Sequence, residues 1–237
     1  MSILVVTGTD TGVGKTVVTA AVAALATGRG ASVAVVKPAQ TGVLPGTTGD
    51  LDAVIRLGGV TTTFELCRFG EPLSPAAAAR VAGVSPVSMV DVVRLVRELR
   101  ESNRLVLVEG TGGLLERYDE DGATIADLAR SLGAQVLVVV RAGGGSVNQT
   151  ALTLEALAHR GLDLAGLVIG RWPDEPGLVE RSNVADLEML AARPLAGALP
   201  EGAGRLDRDA FAQVARRGLG PMLGGTFDPA AFRHHVR

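Results

Sequence analysis

Residues Gly8 to Thr16 read Gly-Thr-Asp-Thr-Gly-Val-Gly-Lys-Thr and follow directly on the apolar run Ile3-Leu4-Val5-Val6. A short strand, a glycine-rich loop ending in Gly-Lys-Thr, and a helical stretch from Val17 to Ala26 come in that order. Together they build a cradle for a nucleoside triphosphate. Backbone N–H groups of such a loop converge on phosphate oxygens, and the helix N-terminus adds the positive end of its dipole. Lys15 would reach the β- and γ-phosphates and the Thr16 hydroxyl would hold Mg²⁺. The spacing departs from the common G-x-x-x-x-G-K-[ST] pattern, because Thr9 stands where glycine is expected and Gly8 lies one residue earlier. A plain strand-to-helix turn is the competing reading. It leaves the Gly-Lys-Thr ending unexplained.

Other chemistry-bearing residues fall at the ends of apolar runs. Lys37 closes one such run, where a cation can neutralise an anionic substrate or a transferring phosphoryl group. Glu109 closes another and is followed by Gly110-Thr111-Gly112-Gly113. A carboxylate there is a candidate Mg²⁺ ligand opposite Thr16, and the glycines let backbone approach a ligand. Asp50 opens a helical segment after the turn-rich 44–49 stretch; capping and metal binding are both open to it, and Asp52 competes for the metal role. Gly143-Gly144-Gly145-Ser146 opens a further helix, whose free N–H groups can hold a carboxylate or simply form a turn.

The elements that must position these residues are short β-branched runs alternating with helical patterns. Strands are expected at 3–7, 32–37, 105–109, 135–140, 165–170 and 195–199. Helices are expected at 15–27, 50–57, 75–81, 88–101, 124–132, 147–160 and 178–192. The alternation predicts an α/β fold, a three-layer P-loop NTPase architecture with a mostly parallel sheet covered by helices on both faces. Ligands of such sheets gather at the carboxyl ends of the strands, which is where the motifs lie. The 237 residues suit one domain, expected over 1–225, with glycine-rich 218–225 closing it and a C-terminal tail, 226–237, that docks or stays mobile.

Composition narrows the functional classes. A net charge of −2 offers no broad field for nucleic acid or an anionic membrane surface. No apolar stretch approaches the length of a membrane span, and the first strand begins at once, which leaves no room for a signal peptide. Cys67 is the only cysteine, which excludes an internal disulfide or a cysteine metal cluster and fits a reducing cytoplasm. His159, His234 and His235 form neither a metal site nor a Ser-His-Asp triad.

Taken together, Val6–Thr16, Lys37-Pro38-Ala39-Gln40-Thr41-Gly42 and Val108–Gly113 resemble the dethiobiotin synthetase family, with a weaker likeness over Asn148–Leu157. The resemblance covers roughly residues 2 to 202, and the displaced glycine is what that family shows. It implies ATP- and Mg²⁺-dependent carboxylation of 7,8-diaminononanoate with CO₂ and closure of a ureido ring. On the family's pattern Lys37, Lys15 and Thr11 are catalytic. Thr11 and Gly12, Val13, Gly14, Lys15, Thr16 and Val17 line the phosphates, and Thr16, Asp50 and Glu109 surround Mg²⁺. Nucleotide contacts extend to Gly110, Thr111, Gly112, Gly170, Arg171, Pro200, Glu201 and Gly202. Thr41 contacts substrate. The resemblance further implies a homodimer in which Gly144, Gly145, Ser146, Val147 and Asn148 of one subunit grip the substrate carboxylate held by the other.

One departure bears on the nucleotide. Many relatives carry an asparagine after the fifth strand that reads the base, whereas this chain has Val168-Ile169-Gly170-Arg171-Trp172-Pro173. Weaker discrimination between ATP and other nucleoside triphosphates is expected. Two other classes remain as alternatives. A positioning-type nucleotide-switch ATPase would carry Lys-Gly-Gly-Val-Gly-Lys-Thr, but its early lysine is Asp10 here. A glutamine-dependent amidating synthetase would need a glutaminase portion with a nucleophilic cysteine.

Overall fold

The computed structural model describes residues 2–236; Met1 and Arg237 lie outside them. The strands are β1 (Ser2–Gly8), β2 (Val33–Gln40), β3 (Thr62–Arg68), β4 (Leu105–Gly113), β5 (Gln135–Arg141), β6 (Leu164–Trp172) and β7 (Gly197–Pro200). The helices are α1 (Lys15–Thr27), α2 (Asp50–Gly58), α3 (Pro75–Ala82), α4 (Met89–Ser102), α5 (Ile125–Leu132), α6 (Ser146–His159), α7 (Leu178–Ala191), α8 (Arg208–Gly218) and α9 (Pro229–Val236).

All seven strands join one sheet in the order β3-β2-β4-β1-β5-β6-β7, and every neighbouring pair is parallel. Successive side chains of a strand point to opposite faces, so each apolar run feeds two cores. Val5 packs with α3–α7 and α9 on one face, and Val6 packs with α1, α2 and α8 on the other. Both cores are built from small aliphatic side chains. The alanine-rich α1 can therefore lie close to the sheet, directly behind the loop it caps.

The structure departs from the sequence reading at β3, at α8 and α9, and in the reach of several strands. β3 was not expected, because Thr62–Arg68 alternates apolar and polar residues. That is the pattern of a half-exposed edge strand rather than of a buried run. α8 was also missed, although Asp207 caps it by accepting from Ala210 N at 2.9 Å and Phe211 and Ala215 enter the core. The strands also run further than the apolar runs: β2 reaches Gln40, β4 reaches Gly113 and β6 reaches Trp172. Motifs expected just beyond the strands therefore begin within them, held by ladder hydrogen bonds. In the C-terminal stretch, Phe227 and Val236 are buried and Phe232 meets Trp172 edge-on at 4.9 Å between ring centroids.

Tyr118, the only tyrosine, links the core to the site. Its ring is fully buried and its hydroxyl accepts from the Thr111 backbone N–H at 2.7 Å. Burial raises the phenol's pKa, with the Thr111 hydrogen bond opposing. Tyr118→Phe keeps the packing but strands that N–H. Urea unfolding should show a loss of about 1–3 kcal/mol, the cost of an unsatisfied buried donor; unchanged stability would mean that water replaces the hydroxyl.

Candidate active site

The carboxyl ends of β1, β2, β4, β6 and β7 surround a cleft of about 780 Å³. Thr11, Gly12, Gly14, Lys15, Thr16 and Val17 form one wall, and Lys37, Thr41 and Asp50 the next. Thr111 and Gly112 come from β4, and Gly170, Arg171, Pro200, Glu201 and Gly202 close the far end. Lys15 and Lys37 therefore face one space.

At the floor, Lys37 Nζ lies 2.6 Å from Asp50 Oδ2 and 2.9 Å from Glu109 Oε1, and it donates to the Gly110 carbonyl at 3.2 Å. The Thr16 hydroxyl donates to the same Glu109 Oε1 at 2.8 Å. Lys37 is 2% exposed and Glu109 fully buried. Burial pulls the Lys37 ammonium down, but Glu109 and Asp50 outweigh it and hold the group above the ordinary lysine range. Burial likewise works against the Asp50 carboxylate, yet Lys37 keeps it below its usual value. The two carboxylates thus favour the charged form of Lys37.

Lys15 differs. It donates to the Asp10 carbonyl at 2.8 Å. Burial, and then the Lys37 charge, lower its pKa to about 8 against weaker opposition from the carboxylates. Two lysines thus carry different charge stability within one cleft, because only Lys37 has carboxylate partners.

Asp50 and Asp52 separate cleanly. Asp50 turns its carboxylate to Lys37, whereas Asp52 accepts from the Gly49 N–H at 2.7 Å and so caps α2. Gln40, quoted in the second motif but given no role, is nearly buried; its Oε1 accepts from the Asp50 backbone N–H at 2.9 Å. It acts as the cap that Gly49 has no side chain to provide. Sequence reasoning also missed Val43, Asp174 and 203–205, which line the cleft from connecting segments without a motif of their own.

Several expected residues stand off the cleft. Val13 is buried in the core beneath the loop, and Glu109 and Gly110 lie under the floor rather than on it. Gly144, Gly145, Ser146, Val147 and Asn148, expected to act on substrate held by a partner subunit, sit at the start of α6, outside the lining of this chain's own cleft. There Ser146 is buried and accepts from Asn183 Nδ2 at 3.3 Å.

At the far end Gly170 admits no side chain: a Cβ there would lie 2.2 Å from the Val13 carbonyl oxygen. A Cβ built on Gly14 would likewise crowd β6, lying 2.7 Å from the Gly170 carbonyl oxygen. The phosphate loop rests backbone to backbone on β6, and the polar atoms of this corner include Arg171, Glu201 and the main chain. Arg171 pairs with Glu201 across it.

The donor set can be tested against a divalent cation. Glu109 Oε2 is buried and has no hydrogen-bond partner among the described residues. With the Thr16 hydroxyl and Asp50 beside it, this carboxylate suits Mg²⁺, which commonly takes one or two carboxylates and completes its shell with water and phosphate oxygens. No group of three or more His, Cys, Asp or Glu ligands is assembled among the described residues, so an all-protein cage is not built.

Comparison with known proteins adds a second line. The model of a family described as AAA domain matches residues 2–204. The chain is 61% identical to the ATP-dependent dethiobiotin synthetase BioD of Parafrankia sp. and 62% identical to that of Frankia casuarinae, in each case over 98% of both chains. Identity to the same enzyme of Streptomyces avermitilis is 53%, again over 98% of both. Among solved structures, the septum site-determining protein MinD with Mg-ADP from Pyrococcus horikoshii superposes with a TM-score of 0.58 at 16% identity, covering 94% of each chain. Chloroplast FtsY from Physcomitrella patens gives 0.52 at 16% identity, covering 90% of this chain and 64% of its own. At that identity these two likenesses concern the fold alone.

The Lys15 pKa near 8 has a measurable consequence. A bound polyphosphate favours the charged amine, so binding requires proton uptake once Lys15 has lost its proton. Titration of the metal-free protein with ADP in EDTA should show little change in affinity between about pH 7.5 and 8, where the ADP phosphates are already ionised. Above pH 8 the affinity should weaken by up to about tenfold per pH unit. A flat profile to pH 9.5 would show that Lys15 stays charged.

Proposed function

The chain belongs to the ATP-dependent dethiobiotin synthetases, within the AAA-domain family whose model it matches, and we propose that it closes the ureido ring of dethiobiotin from 7,8-diaminononanoate, CO₂ and ATP. It is an ATP-dependent ligase of the C–N bond-forming, ring-closing class. The observation that carries the detailed reading is the buried Lys37, fixed between Asp50 and Glu109 at the floor of the cleft that Lys15 also faces.

In this reading one amine of the substrate adds to CO₂ and loses a proton, giving a carbamate. A carbamate oxygen attacks the γ-phosphorus of ATP, the bond to ADP breaks, and a carbamic–phosphoric anhydride forms. The second amine then attacks the anhydride carbonyl and loses a proton, the C–O bond to the phosphoryl group breaks, the ring closes and phosphate leaves. Every species on this path is more anionic than a neutral diamine, so the chain's task is charge placement. Lys37 holds the carbamate and the developing phosphoryl charge, and Lys15 holds the β- and γ-phosphates. Thr11 and the loop N–H groups orient the triphosphate, and Thr41 meets the substrate. Thr16, Asp50 and Glu109 would hold Mg²⁺, which when bound would offset phosphoryl charge.

Two further parts of the proposal rest on surface features. Leu115 and Leu152 are exposed and line a hollow of about 480 Å³ together with Thr9 and Gly113. This supports a homodimer in which 144–148 of one subunit meet substrate held by the other. No described helix is long and apolar enough to cross a membrane, and a cytoplasmic location is proposed with the single cysteine in mind. The glutamine-dependent alternative loses ground, since burial and Glu65 raise the pKa of the Cys67 thiol, which disfavours a nucleophile.

Incubation with diaminononanoate, bicarbonate, Mg²⁺ and ATP should yield dethiobiotin by mass spectrometry, and nucleotide-dependent membrane or DNA binding without diamine consumption would favour a switch protein instead. Lys37→Ala should abolish turnover. It should also cost about 3–5 kcal/mol of stability, because it leaves Glu109 buried and uncompensated; Mg²⁺ should restore part of that loss. Turnover at the wild-type rate would remove Lys37 from its role. With Gly170 barring a side chain from the base corner, CTP and GTP should support turnover within about tenfold of ATP, and strict adenine preference in competition assays would count against this.

A further inference from the structure

Three consecutive carbonyls of the phosphate loop each accept from a cation. Lys15 Nζ bonds the Asp10 oxygen at 2.8 Å, Arg141 Nη2 the Thr11 oxygen at 2.9 Å, and Arg171 Nη1 the Gly12 oxygen at 3.4 Å. Arg141 and Arg171 are register partners on the adjacent strands β5 and β6, so the sheet sets their side chains side by side. Arg141 also stands 3.6 Å from the Asp10 carboxylate. It lines a hollow of about 350 Å³ that shares Gly12, Arg171 and Glu201 with the cleft, and Arg141 itself does not line the cleft.

In a trans peptide the carbonyl of one residue and the N–H of the next point in opposite directions. Holding the Thr11 and Gly12 oxygens outward therefore turns the N–H groups of Gly12 and Val13 inward, toward a phosphate. Packing does not secure this orientation at Gly12. Its φ is 72°, and a Cβ built there would meet nothing within 4 Å. Gly14, by contrast, is wedged against Gly170. A flip of the 11–12 peptide would aim a carbonyl oxygen at the phosphates, and glycine makes that flip sterically cheap.

We infer that Arg141 is a positioning residue for triphosphate binding: from outside the cleft lining it clamps the Thr11 carbonyl and so pre-orients the Gly12 N–H as an anion donor. This rests on the nucleotide reading of the cleft. Arg171 extends the clamp, because its other amino group pairs with Glu201 and ties Gly12 to the far wall.

The test compares wild type with Arg141→Ala and Arg141→Gln by calorimetry with Mg-ATP, at 0.1 M and 0.5 M salt, together with steady-state kinetics and melting curves. Loss of one charge-assisted hydrogen bond should weaken Mg-ATP binding about tenfold in Arg141→Ala. The defect should persist at 0.5 M salt, where screening shortens to about 4–5 Å and a remote field effect fades. Arg141→Gln, which keeps a donor, should recover part of the affinity. The diamine KM and kcat at saturating ATP should stay within about twofold of wild type. Arg141 is about half exposed, so both variants should melt near wild type. A kcat defect with unchanged Mg-ATP affinity, an affinity defect that vanishes at high salt, or no defect in a folded variant would each overturn the inference. Failure of wild type to bind Mg-ATP would instead overturn the nucleotide reading itself.

Discussion

The structure turns on one buried cluster, the Lys37 ammonium between the carboxylates of Asp50 and Glu109. Removing such charges from water costs several kcal/mol each, and the cost is offset only when partners and hydrogen bonds are all in place. That requirement reaches outward. Glu109 must lie in a central strand and Lys37 in the next strand over, each one residue past the last paired positions of the β2–β4 ladder. Asp50 must sit at the first turn of α2, which Gln40 secures from β2. Thr16 must open α1, directly after the loop. The sheet order, with β1 and β2 on either side of β4, is the arrangement that brings all four together.

The cluster also explains why the two cleft lysines behave differently. Lys37 is surrounded by negative charge and keeps its proton. Lys15 has a backbone carbonyl for its nearest partner and a like charge nearby, and its pKa falls to about 8. An anionic ligand completes the electrostatics of Lys15, just as a cation would complete those of the unpartnered Glu109 oxygen. The cleft thus sets two lysines and two carboxylates around one space, with only Lys37 paired to both carboxylates.

Much of this was legible in the sequence because buried parallel strands announce themselves. Val5-Val6, Val33–Val36 and Leu105–Val108 are unbroken apolar runs, and each ends in a polar or glycine-rich motif that the fold carries to one rim. What escaped lacked that contrast. β3 hides its edge position in alternation, and α8 is amphipathic without a motif. Gln40 looked like filler between Ala39 and Thr41, since a cap supplied by another strand has no local spacing to betray it. Arg141 reads as a surface arginine at a strand end until its contact with a loop 130 residues away is seen. The choice between Asp50 and Asp52 was likewise tertiary: two residues apart on a helix, they face different neighbours, and only Lys37 decides between them.

Trp172 is the one indole in the chain, and it stands next to Arg171 at the end of β6. Its ring leans on Phe232 of the last helix, and its carbonyl accepts from the Glu201 N–H at 2.7 Å. The protein thus carries a built-in optical reporter. Emission excited at the red edge of the absorption band arises from this corner alone, where the C-terminal helix meets the far wall of the cleft.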